Sequence, residues 1–287
     1  VVPVSMNDDP TVGQNPPYGA SINYHLKAAP AGNVTIAIAD ARGQIVRTLP
    51  GTRTAGVNRI TWDLRGEPST QVRLRVSPLY APDVEPGPEG FRPGGGQLTL
   101  LEPPGTYSVK LRVGGLEITQ PLIVKKDPHS AGTEAEIAEQ MKTLGALQKD
   151  AEAAATVVNQ IESIRSQLQG LPRAVEGTRD AEMVRESAGA LEQKYIVVEQ
   201  NLVELRSTGR GQDGVRWGAK LVGKITYLAN ELASADHRPT SQQLEVQKLL
   251  EEHIARARAD LDALINKDLA ALNDTLRRRN LPTIIVR

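Results

Sequence analysis

The sequence predicts an α+β chain in two segregated parts: an N-terminal all-β sandwich of immunoglobulin or fibronectin type III kind, then an antiparallel four-helix bundle. Three observations predict it. Of the 19 prolines, all but Pro172, Pro239 and Pro282 lie at or before Pro128. That first part is rich in Thr, Val, Ile and Gly, with apolar residues alternating at period two. After Thr133 the chain turns to Ala, Leu, Glu, Gln and Arg, with apolar residues three and four apart. With 287 residues, 39% of them hydrophobic, there is material for one large domain or two ordinary ones with buried cores.

In the first part Ile22, Tyr24 and Leu26 alternate with polar residues, as do Val34, Ile36 and Ile38, the pattern of strands with one buried face. Asp40-Ala41-Arg42-Gly43 supplies a turn before 45–49 returns, so this stretch reads as a hairpin. Further strands are predicted at 57–64, 72–76, 106–113 and 117–124, the last two joined by Gly114-Gly115. Seven strands make the sandwich. Between the fifth and sixth, residues 77–105 carry seven prolines and six glycines and cannot hold a regular ladder. They read as a long surface loop of the sandwich, dispensable for folding and free to meet a partner.

The sandwich is assigned to 1–126, a linker to 127–132 and the bundle to 133–287. Pro128 disfavours helix at Asp127, and Thr133 with Glu136 fits a capping box. The first helix keeps one apolar face from Ile137 to Leu168 and is expected to end at Gly170 and Pro172. The second has the seam Val184, Ala188, Leu191, Tyr195, Val198, Leu202 and Leu205, at coiled-coil spacing. A third uses Leu221, Ile225, Leu228 and Leu232, and a fourth starts near Thr240, where Gln243 completes a second box. The stripes read as core.

Composition excludes several function classes. Lys+Arg and Asp+Glu both number 34, so net charge draws the chain neither to nucleic acid nor to anionic lipid. The absence of Cys removes thiol catalysis, thiolate metal sites and disulfides. No stretch reaches the roughly 20 apolar residues of a membrane span. His25, His129, His237 and His253 are scattered, with no metal-gripping pair. The G-x-G-x-x-G match Gly209-Arg210-Gly211-Gln212-Asp213-Gly214 joins two helices instead of a strand and a helix, and reads as an interhelical turn. The carboxylate pairs Asp8/Asp9, Glu251/Glu252 and Asp260/Asp262 fit solvated faces or an exposed terminus, and Arg277-Arg278-Arg279 suits the last turn of a helix. No catalytic residue, cofactor or metal ligand is assigned. Two Trp, six Tyr and one Phe make a weak sugar platform. Tyr80, Phe91 and Arg92 in the loop and Trp217 at the start of the third helix are the candidate partner interface.

Several segments together carry a family resemblance: Asn15-Pro16-Pro17-Tyr18-Gly19-Ala20, Tyr24-His25-Leu26, Ile38-Ala39-Asp40-Ala41-Arg42-Gly43, Gly56-Val57-Asn58-Arg59-Ile60-Thr61-Trp62-Asp63-Leu64-Arg65, Pro104-Gly105-Thr106-Tyr107, Asp127-Pro128 and the tail Leu281-Pro282-Thr283-Ile284. Over nearly its whole length the chain resembles the C-terminal region of bacterial exported proteins that begin with a sortilin-type β-propeller and are often labelled glycosyl hydrolases. Trp62-Asp63 with Pro104-Gly105-Thr106-Tyr107 also resembles the sandwich of flagellar hook-capping proteins. The resemblance implies an extracytoplasmic, periplasmic location and a binding or scaffolding role. The hydrolase label belongs to the propeller, so no catalytic residue carries over. The start at Val1-Val2-Pro3, without Met, leads us to expect sequence upstream.

The functional expectation is a non-enzymatic scaffold that acts as an accessory subunit of a larger membrane-associated complex and contacts other protein subunits at its periplasmic face. The resemblance implies a photosynthetic reaction centre as one such complex. The alternative is a substrate-positioning module beside a polysaccharide-active exported hydrolase.

Overall fold

A computed structural model describes residues 16–209 and 211–286. Val1-Val2-Pro3, the Asp8/Asp9 pair, Asn15 and Arg210 lie outside the described residues. N-terminal strands form antiparallel sheets and helices follow them. The chain divides into two compact units, one reaching Glu67 and resuming over Leu101–Lys126, the other made of Pro68–Leu100 and the chain from Asp127 on.

In the first unit β3 (Ile45–Gly51), β2 (Val34–Ala39), β7 (Gly105–Val113) and β8 (Leu116–Val124) form a four-stranded antiparallel sheet in that order, while β1 (Ala20–Leu26) pairs with β4 (Gly56–Trp62). Period-two alternation directs Ile36 and Ile38 of β2, Trp62 of β4, and Tyr107 and Val109 of β7 into one core. The Trp62 and Tyr107 rings meet edge-on, 5.3 Å apart at 66°. Each keeps its polar end bonded: Trp62 Nε1 donates to Arg65 O at 2.9 Å and the Tyr107 hydroxyl to Pro103 O at 2.6 Å. The turn after β2 is held by Asp40, whose Oδ1 accepts from the N–H groups of Arg42 and Gln44, with Gly43 at φ +80°.

The second unit contains α1 (Glu134–Ala174), α2 (Ala181–Glu199), the short α3 (Asp213–Arg216), α4 (Leu221–Leu232), and α5 (Ser241–Ala263), which passes through a π-helical turn (Leu264–Leu269) into α6 (Ala270–Arg278). Thr133 and Glu136 form a reciprocal capping box on α1, as Thr240 and Gln243 do on α5. Two expectations shift. α1 runs past Gly170 and Pro172 to Ala174, so Pro172 sits in its last turn and interrupts little. α2 stops at Glu199, and Leu202 and Leu205 of the expected seam lie beyond it in turns, still buried.

The larger correction concerns the Pro/Gly-rich stretch. Residues 77–105 do not loop out from a sandwich; Pro68–Leu100 is a strap within the helical unit, and Gly105 already opens β7. The expected fifth strand contributes only β5 (Arg73–Leu74), paired with β6 (Arg92–Pro93) inside this unit. Val72, Leu74, Val76, Val84 and Leu98 are buried, and Val72, Leu74 and Leu98 join one apolar cluster with the helices. Beyond that two-residue pairing, its backbone finds partners on α1. Asn159 donates Nδ2–H to Gln71 O at 2.9 Å and accepts the N–H of Arg73 at 2.7 Å. Glu162 accepts the N–H groups of Arg75 and Val76, and Gln148 reaches Leu98 O. A segment with only a two-residue ladder thus has several of its backbone groups held by side chains of the helix. The expected linker 127–132 also belongs to this unit, where the Ser130 hydroxyl donates to Asp236.

Candidate functional site

Among the described residues, a cleft of about 730 Å³ in the helical unit gathers the strap's Arg92 and Gly94-Gly95-Gly96, the turns after α2, and the start of α4. Leu202, Val203 and Leu205 bury their side chains and fix the backbone from which the intervening polar residues project. Leu205 O accepts the N–H of Leu79 at 2.9 Å, which ties the strap to this wall.

Glu204 and Arg206 stand two residues apart on that wall. Arg206 forks onto the Glu204 carboxylate, Nε to Oε1 at 2.6 Å and Nη2 to Oε2 at 2.8 Å, and its guanidinium lies 3.8 Å from the centroid of the Trp217 ring. The Arg206 hydrogen bonds hold the Glu204 carboxyl below the usual carboxylate range. Asp213 Oδ2 accepts four donors: the N–H groups of Thr208 (2.8 Å) and Gly209 (2.9 Å) and the hydroxyls of Thr208 (3.0 Å) and Ser207 (3.3 Å). Desolvation works against its charge, but the bonds from Thr208, Gly209 and Ser207 outweigh it and Asp213 ionises below its ordinary value. The Asp213 carboxylate thus already occupies the donors of Ser207, Thr208 and Gly209.

Arg92 donates Nη1–H to Ser207 O at 3.0 Å and Nη2–H to Val76 O at 3.2 Å. Both of its terminal nitrogens thus work inside the chain. Gly96 has φ +77°, and a Cβ there would come within 2.1 Å of Val222 Cγ1, so only glycine lets the strap approach α4 this closely.

Of the four interface residues read from sequence, Arg92 and Trp217 line this one cleft; Tyr80 and Phe91 do not. Tyr80 is 91% exposed with φ +69°. Phe91 is half-buried beneath the Arg73 guanidinium, 5.0 Å from its centroid.

A second polar group escaped the sequence reading. Between α1 and α2, Arg165 Nη1 contacts Glu162 Oε1 at 3.1 Å and Glu199 Oε2 at 2.8 Å, while Nη2 reaches Glu192 at 3.2 Å; Glu162, Arg165 and Glu199 are buried. Burial, then the neighbouring Glu162, pushes Glu199 well above the ordinary carboxyl range, and Arg165 only partly offsets them. Among the described residues, Glu199 Oε1 and the Tyr195 hydroxyl are buried without a hydrogen-bond partner. The visible signal was two charged residues, Glu162 and Arg165, set directly beside Ile161 and Ile164 on the apolar face of α1.

Among the described residues no group of three or more His, Asp or Glu is placed to hold a metal ion, and no helix is long and apolar enough to cross a membrane. The Arg277-Arg278-Arg279 run is no free patch, since Arg277 pairs with Asp274 at 2.6 Å and Arg279 with Asp180. Searches against protein-family models, curated proteins and solved structures give no match to this chain.

Proposed function

We propose that the chain is a non-enzymatic interaction module: an immunoglobulin-like sandwich and an antiparallel four-helix bundle serving as an accessory structural subunit of a larger assembly at the periplasmic face of a membrane. The observation that carries this reading is how three ionic groups of the cleft, Glu204, Arg92 and Asp213, are spent within the chain. Glu204 is consumed by Arg206, Arg92 by two carbonyls and Asp213 by its own turn, which leaves a shaped surface with Trp217 in its wall. A general base or nucleophile needs a free, positioned polar group, and these residues supply contact instead.

The sandwich reading draws support from the Tyr107 hydroxyl bonded back to Pro103 O and from the edge-on Trp62–Tyr107 pair. The bundle reading draws support from apolar stripes of α1, α2, α4 and α5 that share one core. The family resemblance motivates the periplasmic setting and the membrane-complex partner, a photosynthetic reaction centre being the example it implies. The test is native mass measurement of detergent extracts from the source membrane. Co-migration with a larger assembly supports the module. A lone monomer, or saturable glycan binding lost in Trp217→Ala, favours the alternative of an appendage to a polysaccharide-active enzyme.

A further inference from the structure

On α1, residues 156–169 contain only two charged side chains, Glu162 and Arg165, and both are buried in the ion cluster. The outward positions of this stretch are Thr156, Asn159, Gln160, Ser163, Ser166, Gln167 and Gln169. Thr, Asn and Ser are poorer helix formers than the Ala, Glu and Lys that the same helix uses elsewhere, so helix stability did not choose them. Two of these side chains already show what the stretch does. Asn159 holds the extended strap through Gln71 O and Arg73 N. Gln167 does the same for the C-terminal tail, donating to Ile285 O and accepting from Ile285 N, both at 2.8 Å. Each side-chain amide replaces one rung of a β-ladder, with one donor and one acceptor offered to an extended backbone.

Between these two clamps lies a groove of about 740 Å³, lined by Thr70, Arg75, Thr156, Asn159, Gln160, Ser163, Ser166, Gln167 and Arg258. Its lining contains no carboxylate and no apolar side chain. Arg258 is fixed by Gln160 Oε1 at 3.2 Å and Asp262 at 3.3 Å. The Arg75 guanidinium has no partner among the described residues, and its Nε is buried without a hydrogen bond. Arg75 is nonetheless held in place, because its backbone N–H is bound by Glu162.

We infer that this groove binds an extended acidic peptide segment of a partner protein. From Thr156 to Gln167 the helix advances about 16 Å, the reach of roughly five residues of extended chain. The groups that face such a ligand match it: the Gln160 amide N–H and the Ser163 and Ser166 hydroxyls for backbone, the unpaired Arg75 guanidinium for one carboxylate, and Arg258, which would exchange Asp262 for a second. An acidic glycan is disfavoured because no aromatic ring lines the groove for a sugar to stack on. The inference stands apart from the role proposed for the Trp217 cleft, since it concerns a different surface and is read on the purified chain alone.

The experiment is fluorescence anisotropy of the full chain with a labelled ten-residue peptide of alternating glutamate and serine, set against a lysine–serine peptide and oligogalacturonate. The acidic peptide is expected to bind saturably and the lysine peptide not at all. Arg75→Gln and Arg258→Gln should each weaken binding about ten-fold, the size of one charge-assisted hydrogen bond, with unchanged circular dichroism melting. Absence of saturable binding at millimolar peptide, equal affinity in Arg75→Gln, binding of the lysine peptide, or tighter binding of oligogalacturonate overturns the inference.

Discussion

Val76 donates its backbone N–H to Glu162 Oε2 at 3.0 Å, and the other oxygen of that carboxylate lies 3.1 Å from Nη1 of Arg165. One side chain thereby anchors the strap and compensates a buried guanidinium. Glu162→Ala removes both services and leaves Arg165 with Glu192 and Glu199 alone. The expected cost is roughly 3–5 kcal/mol in urea denaturation of the full chain, typical of breaking a buried pair from one side. A loss below about 1 kcal/mol would show the cluster relaxing into water.

Removal of residues 77–100 is expected to destabilise the helical unit. Leu98 and Val84 are buried, and Leu205 O, Ser207 O and Gln148 all lose their strap partners. Each fully buried aliphatic side chain contributes about 1.5–3 kcal/mol, so a deletion variant that melts like the wild type contradicts the packing described.

Glu199 sets a pH dependence with a definite sign. Its proton is bound more tightly in the folded chain than its ordinary value of 4.5 allows, so its contribution is fully present below that value and is lost as pH rises toward the folded-state value. Glu199→Gln keeps an acceptor for Arg165 and cannot ionise. Over the window opening above pH 4.5, wild-type stability should fall relative to Glu199→Gln by up to about 1.4 kcal/mol per pH unit. Denaturation of both proteins from pH 5 to 8 measures it, and parallel curves would contradict a raised Glu199 value.

Gly95 and Gly96 both have φ near +77°, at +76° and +77°, but only Gly96 faces a neighbour, Val222 Cγ1. Gly95→Ala should cost only the left-handed backbone, about 1 kcal/mol. Gly96→Ala adds a steric clash worth a further 1–3 kcal/mol, roughly. Equal effects in thermal melts would mean the strap does not press on α4.

What could be read from sequence was local. The Thr133/Glu136 and Thr240/Gln243 boxes and the Asp40–Gly43 turn each close within four residues, so residue type and spacing identify them. The strap could not be read this way. Its backbone partners Asn159 and Glu162 stand more than eighty residues downstream, and Pro/Gly content describes what a segment cannot pair with, not what side chains can hold it. Val72, Leu74 and Val76 did show period two, but the buried face they need belongs to helices instead of a sheet. Of the four candidate interface residues, Arg92 and Trp217 share a cleft, while the Glu204–Arg206 pair beside Trp217 carries no motif that a sequence could show.

The docking role is tested most directly by replacing Trp217 with Ala in the source organism and comparing native sedimentation of the wild-type and variant chains. Wild type should travel with a larger assembly, and Trp217→Ala, melting as the wild type does, should be shed from it as free chain. Free chain in both extracts, or undiminished co-migration of the variant, contradicts the account.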